Sequence, residues 1–121
     1  MYTEIKTFDD ACKAVGTTEV DFNAAIDALP ETIREIHRKY GKVDIIAQAI
    51  NEGWKPDWKD LEERKYQPVF DMEDNASLVN VSCYFLFRYS RVSSRLCFQT
   101  REKAEYAVNQ FTTEFQNYLN N

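Results

Sequence analysis

The chain has 121 residues, 44% hydrophobic and 14% aromatic, with 15 basic and 20 acidic side chains for a net charge of −5. That length makes one domain, residues 1–121, able to hide about two thirds of its unfolded surface without staples. The acidic balance disfavours nonspecific nucleic-acid binding by the whole molecule, and the scarcity of glycine and proline argues against a disordered chain.

Cys12, Cys83 and Cys97 form no C-x-x-C pair and have no second ligand type nearby, so they read as reduced core residues of a cytosolic protein. A hairpin that set Cys83 against Cys97 would make a disulfide geometrically conceivable. The opening Met-Tyr-Thr-Glu-Ile-Lys lacks the basic and apolar regions of a signal peptide. No apolar run approaches the ~20 residues that span a bilayer.

In chain order, Thr7 caps a first helix with Asp10 in the place of a capping-box Glu. Phe8, Ala11, Cys12 and Val15 share a face, and Gly16 stops the helix. Thr18 starts a second helix, with Asp21 three residues on and two alternative apolar faces, Val20-Ala24-Ala28 and Phe22-Ala25-Leu29. Pro30 precedes a third, whose stripe is Ile33, Ile36, Tyr40, Val43, Ala47 and Ile50. Gly41 interrupts that stripe and predicts a kink or break.

Residues 1–53 thus form a helical half, closed by a Trp-Pro-Trp corner at 54–58. Pro56 forces Lys55 extended, and the two indoles are expected to clamp the loop onto the core. A sheet over 66–99 follows. Tyr66 to Met72 reads as an edge strand because of Pro68, and Glu73-Asp74-Asn75 as a turn. Ser82 to Ser90 reads as the central strand, with Cys83, Phe85, Phe87 and Tyr89 on one face, and 95–99 returns after a loop at 91–94. Thr100 caps a single C-terminal helix, 100–119, with Ala104, Ala107, Val108, Phe111 and Phe115 facing the core. The expected fold is α+β: a helical N-terminal half, a three-stranded antiparallel meander, and a C-terminal amphipathic helix on the sheet.

Catalytic chemistry is hard to assemble from these residues. The single histidine, His37, falls on the polar side of its helix, and the cysteines fall at core positions. Gly16, Gly41 and Gly53 are isolated and match no phosphate loop. The paired acids Asp9-Asp10, Glu62-Glu63 and Glu73-Asp74 sit at caps and turns. No catalytic residue, metal ligand or cofactor is assigned. The spacing from Ala11 through Gly16 to Ala25 fits a helix-turn-helix, but its reading helix, 19–28, carries Glu19, Asp21 and Asp27 without a Lys or Arg. Phosphates would repel it.

Charge is distributed unevenly. Residues 1–60 carry 8 basic and 12 acidic side chains, whereas 75–101 hold Arg88, Arg91, Arg95 and Arg101 and no acid. Arg88, Arg91 and Arg95 flank the hairpin tip beside Tyr84 and Tyr89, which makes these five the candidate ligand-binding residues. Guanidinium forks grip phosphates and rings stack on bases, so a nucleotide or single-stranded nucleic acid fits. The plainer structural reading has the arginines shielding sheet edges and the rings filling the core. A third has the patch docking an acidic partner or another copy of the chain.

Two phrases carry a resemblance. Ile45-Ile46-Ala47-Gln48-Ala49-Ile50-Asn51-Glu52-Gly53-Trp54-Lys55-Pro56-Asp57-Trp58 and Ser94-Arg95-Leu96-Cys97-Phe98-Gln99-Thr100-Arg101-Glu102-Lys103-Ala104-Glu105-Tyr106-Ala107, with Gln110-Phe111 after it, resemble segments of small uncharacterised proteins of Bacteroides-type gut bacteria and their phages. The opening from Thr7 to Gly16 is similar too. Members of that group carry a Gly/Ser/Asn/Tyr-rich hairpin where this chain has Tyr84 to Ser94, so the arginine patch is particular to this version. The resemblance transfers no activity. It implies a phage or mobile-element accessory protein, in a bacterial cytoplasm or packaged in a virion, acting on a protein partner or by self-association, without a membrane.

Overall fold

The computed structural model describes residues 1–83, the backbone of Tyr84, and residues 96–120. Three threonines begin three helices by the same device. Thr7, Thr18 and Thr100 each accept, through the side-chain oxygen, the N–H three residues on, at 3.1 Å. These open α1 (Phe8–Ala14), α2 (Glu19–Asp27) and α4 (Arg101–Gln110). Asp10 completes the first box by accepting the Thr7 N–H, so orphan donors are satisfied in both directions. α1 ends in a Schellman turn: Gly16 sits at φ 94°, its N–H meets the Lys13 carbonyl at 3.1 Å, and the Thr17 N–H reaches back to Cys12 at 2.9 Å.

α3 (Glu31–Ile50) follows Pro30 and runs unbroken through Gly41. The expected kink is absent, because Gly41 serves close packing. A Cβ there would stand 2.9 Å from Cε2 of Phe22, so the missing side chain lets the α2 ring lie on the α3 backbone. The Phe22 ring in turn meets Phe8 edge-on, centroids 5.0 Å apart, which joins α1, α2 and α3 at one point. Arg38 clamps the two helices further along, donating to Asn23 Oδ1 at 2.5 Å and Asp27 Oδ1 at 3.0 Å. Neither expected face of α2 is the inward one as drawn: Ile26 is buried between half-buried Phe22 and Leu29, whereas Ala25 is exposed and Val20 is 77% exposed.

β1 (Lys65–Asp71) and β2 (Ser77–Tyr84) pair antiparallel, with a bulge where Val69 meets Asn80 and Phe70 meets Leu78. The turn between them holds Asn75 and Ala76 at φ 51° and 55°. Asp71 stabilises it by accepting the Glu73 N–H at 3.0 Å.

The expected three-stranded meander is corrected to a two-stranded sheet among the described residues. The returning segment does not lie beside β2. Phe98 makes a lone antiparallel bridge to Tyr66, on the other edge of β1. Both backbone groups of Tyr66 are spent on Phe98, so two residues on, Pro68 presents its missing N–H to that same edge. A longer ladder would need that N–H. Since Cys83 and Phe98 flank Tyr66 from opposite sides, Cys83 and Cys97 stand about two strand spacings apart, near 10 Å, beyond disulfide reach. All three cysteines are free thiols. The part of the expected strand and loop that spans 85–95 lies outside the described residues.

The C-terminal helix is also revised. It breaks at Phe111 (φ −116°, ψ 40°) into α4 and α5 (Thr112–Leu119). The Thr112 hydroxyl donates to the Val108 carbonyl at 2.9 Å, covering an acceptor near the break. The change of direction gives one apolar stripe two partners. α4 lies on the sheet and α5 against α3, with Tyr118 tilted on Tyr40 at 5.9 Å, while Phe115 at the start of α5 still stacks on Phe70 of β1 at 6.0 Å. One core joins Phe8, Ala11 and Cys12 to Val43, Ile46 and Ile50 and to Phe98, Ala107 and Phe111. No helix among the described residues is long and apolar enough to cross a membrane.

Candidate functional site

Tyr84 closes β2 opposite Lys65, and its backbone is the last described before residue 96. Arg88, Tyr89, Arg91 and Arg95, with the Tyr84 side chain, lie outside the described residues. The fourth arginine of the basic stretch has a structural task. Arg101 Nη1 donates to the Val81 carbonyl, and its guanidinium lies 5.7 Å from the Tyr66 ring centroid. Val81 faces its carbonyl away from β1, so Arg101 covers part of that sheet edge.

Of the three cysteines expected in the core, Cys12 and Cys97 lie there, whereas Cys83 is only half-buried. His37 is exposed on α3. Cys12 is fully buried, and burial followed by the nearby Asp9 and Glu19 charges pushes its thiol up to about 11. Such a thiol stays protonated and inert at neutral pH. Cys97 is buried beside the Gln67 amide, whose Nε2 donates to Sγ at 3.0 Å. Among the described residues, no three His, Cys, Asp or Glu side chains are grouped to hold a metal.

The Trp-Pro-Trp corner divides into two halves with different surroundings. Trp58 is structural: Lys65 Nζ lies 5.1 Å from its ring centroid. Lys65 is only 1% exposed, and its ammonium also donates to the Asp60 and Glu63 carbonyls at 3.2 and 3.3 Å and pairs with Glu63. A strand lysine thereby gathers the loop 58–64 around itself, satisfying its buried charge from every side.

Trp54 faces a groove instead. This trough of about 690 Å³ lies between the 3₁₀ turn Tyr2–Glu4, the end of α1 and the end of α3. Its size suits a ligand or a peptide segment. Ile5 and Ala49 form a buried floor, while Val15 and the half-buried Trp54 rise at its sides. No side-chain hydrogen bond uses the Trp54 indole N–H among the described residues. Around the rim the charges are mostly spoken for. Lys13 pairs with Asp9 at 2.9 Å, Glu52 with Lys103 at 3.2 Å, and Asp10 serves the α1 cap. Lys55 is exposed and has no ion pair among the described residues.

Each wall is held by long-range bonds. The Tyr106 hydroxyl donates to the Ile5 carbonyl at 2.7 Å, with the Thr3 carbonyl also in reach at 3.0 Å, and Gln110 Nε2 donates to the Lys6 carbonyl at 2.8 Å. These fix the N-terminal wall to α4. Burial raises the Tyr106 pKa, with nearby Asp10 adding to it, so the phenol stays a donor at neutral pH. At the α3 end, Glu52 takes a left-handed φ of 54° just before Gly53 at 88°, which turns the chain so that Trp54 faces the trough. Reasoning from sequence treated both indoles as clamps and missed the groove. The available signal was the local one: Trp54 directly follows a helix stop at Asn51-Glu52-Gly53, where a ring has nothing beneath it. Comparison with known protein families, with curated proteins and with solved structures finds no significant match to this chain.

Proposed function

We propose that this chain is a non-catalytic accessory protein that acts by binding a protein partner, and that the partner enters the groove at Trp54. The observation that carries this reading is an apolar floor beside a half-buried indole, with no hydrogen bond to its N–H and no ion pair to Lys55 at the rim among the described residues. A rigid ring with one polar group is the usual anchor of a protein contact. A partner segment with an apolar side chain, a carbonyl for the indole and an acid for Lys55 fits that arrangement. The inert Cys12 thiol and the solitary His37 support binding over catalysis. The phage or mobile-element setting rests on the sequence resemblance alone.

The test is affinity capture from host cells with the wild type and with W54A and V15E, both at side chains that reach the surface. A defined protein retained by the wild type and lost in both variants, at unchanged melting temperature, supports the reading. An identical set of captured proteins for all three overturns it.

A second reading, a nucleotide or single-stranded nucleic acid held by Arg88, Arg91 and Arg95 with Tyr84 and Tyr89, is favoured by charge. Outside 85–95 the chain has 12 basic and 20 acidic residues, whereas inside it has three arginines and no acid. Filter binding of a single-stranded oligonucleotide at low salt tests it, with affinity lost in the triple alanine variant at those arginines. Unchanged affinity in that variant sinks the reading.

A further inference from the structure

We propose that Lys103, a buried residue of α4 that stands behind the Trp54 groove, is the positioning residue of that groove: its ammonium ties two walls together and so sets how Trp54 meets a partner. The proposal rests on the binding reading above and names the residue that shapes its site.

Lys103 is out of place by chemistry. It is 8% exposed, beside the buried Ala104, Ala107 and Val108 of the same helix. Burying an ammonium forfeits its hydration, and only fixed partners make up the loss. An apolar side chain of similar length would fill the position at lower desolvation cost, so packing alone does not call for a charge there.

The partners of that charge belong to the groove. Lys103 Nζ donates to Gln99 Oε1 at 2.8 Å and pairs with Glu52 Oε1 at 3.2 Å, and the Tyr2 ring centroid lies 5.7 Å away. Glu52 stands at the α3 end of the groove and Tyr2 in its N-terminal turn, and both line it. Gln99 is itself placed from α3, since its N–H donates to Asn51 Oδ1 at 3.0 Å. Asn51, Gln99, Lys103 and Glu52 thus close a polar circuit that leaves α3, crosses to α4 and returns one residue further on. Tyr2 joins it from the other wall, kept against α4 by an edge-on contact with Tyr106, centroids 5.4 Å apart.

The circuit bears on Trp54 through the backbone. Glu52 holds a left-handed φ of 54°, which a residue with a β-carbon adopts only under strain, and Gly53 follows at 88°. These two residues turn the chain from α3 into Trp54. The Glu52 carboxylate on Lys103 anchors the first of them, so the aim of the indole depends on a side chain outside the groove.

Acrylamide quenching of Trp54 fluorescence tests this on the free protein, in a W58F background that leaves Trp54 as the single indole. K103M keeps an unbranched stem and removes the ammonium. E52N keeps a residue that accepts the left-handed turn and withdraws the carboxylate. Each is expected to raise the quenching constant by up to about twofold, the change from a half-covered ring to an open one. The double variant should go no further than either alone, since both cut one tie. G41A, which loosens the α2–α3 contact instead, should leave the constant at the parent value. An unchanged constant in K103M and E52N, additive effects in the double variant, or an equal rise in G41A would each overturn the proposal. In affinity capture, K103M and E52N should lose the protein that W54A loses, and retention by both would also overturn it. A captured set that W54A leaves intact sinks the binding reading instead, and the quenching result then decides the tie by itself.

Discussion

Asn51 and Cys97, 46 positions apart in the chain, are joined where α3 ends: Asn51 Nδ2 donates to the Cys97 carbonyl at 2.9 Å. The same amide accepts the Gln99 N–H through Oδ1 at 3.0 Å. One side chain thus pairs with the backbone as a neighbouring strand would, on either side of Phe98. It holds that residue against Tyr66 without a third strand.

Asn51→Ala is expected to destabilise the fold by about 2–3 kcal/mol, since it removes the amide donor to a carbonyl on a residue that is only 1% exposed. Gln99 is exposed and its N–H regains water, so the loss comes mainly from Cys97. Asn51→Asp keeps the acceptor for Gln99 but turns a carboxylate on the Cys97 carbonyl, and should cost at least as much. Urea unfolding monitored by tryptophan fluorescence measures both.

Gly41→Ala should lower stability by about 1–3 kcal/mol, although alanine is the better helix former by about 1 kcal/mol. The new methyl would meet the Phe22 ring at 2.9 Å, and that ring is backed by Phe8. Adding Phe22→Leu should recover part of the loss. A double-mutant cycle that shows plain additivity would refute the contact.

The cap of α1 should fail in acid. Two backbone N–H groups, of Lys6 and Thr7, hold the Asp10 carboxyl below its ordinary value of 3.8. The Glu19 N–H, followed by Lys13, does the same for Asp9. A depressed folded-state pKa means this stabilisation is complete above the ordinary value and is lost as pH falls through the lowered one. Amide protection factors in α1, corrected for the intrinsic exchange rate at each pH, should therefore fall below about pH 4, and Asp10→Asn should flatten that dependence.

Native thiol labelling at neutral pH should spare Cys12 and Cys97, which are 0% and 1% exposed, and reach the half-buried Cys83 first. The Cys12 thiol sits at about 11 in the fold against an ordinary 9.0. Raised in the folded state, it contributes stability that is complete below 9 and declines as pH rises toward 11. Equal labelling rates for Cys12 and Cys83 without denaturant would contradict this arrangement.

Local chemistry was sufficient for the helical half and for the C-terminal stripe. Thr7, Thr18 and Thr100 cap from side chain to backbone within three residues, and the periodic apolar positions of α3 and α4 report their own buried faces. Such interactions close within one or two turns, so the sequence determines them without help, although Ile33 and Ile36 at the start of the α3 stripe stay exposed. What only the tertiary structure decided depends on partners far along the chain. Gly41 reads as a break until Phe22 is laid on it, and the C-terminal helix reads as continuous until Phe111 must turn it from the sheet to α3. The third strand fails because Tyr66 and Asn51 hold Phe98 on the far edge of β1, and Pro68 lacks the N–H to extend that pairing. The two indoles of the Trp-Pro-Trp corner look alike in sequence. Lys65 takes one into the loop and leaves the other facing the groove, a distinction set by which side chain arrives from elsewhere.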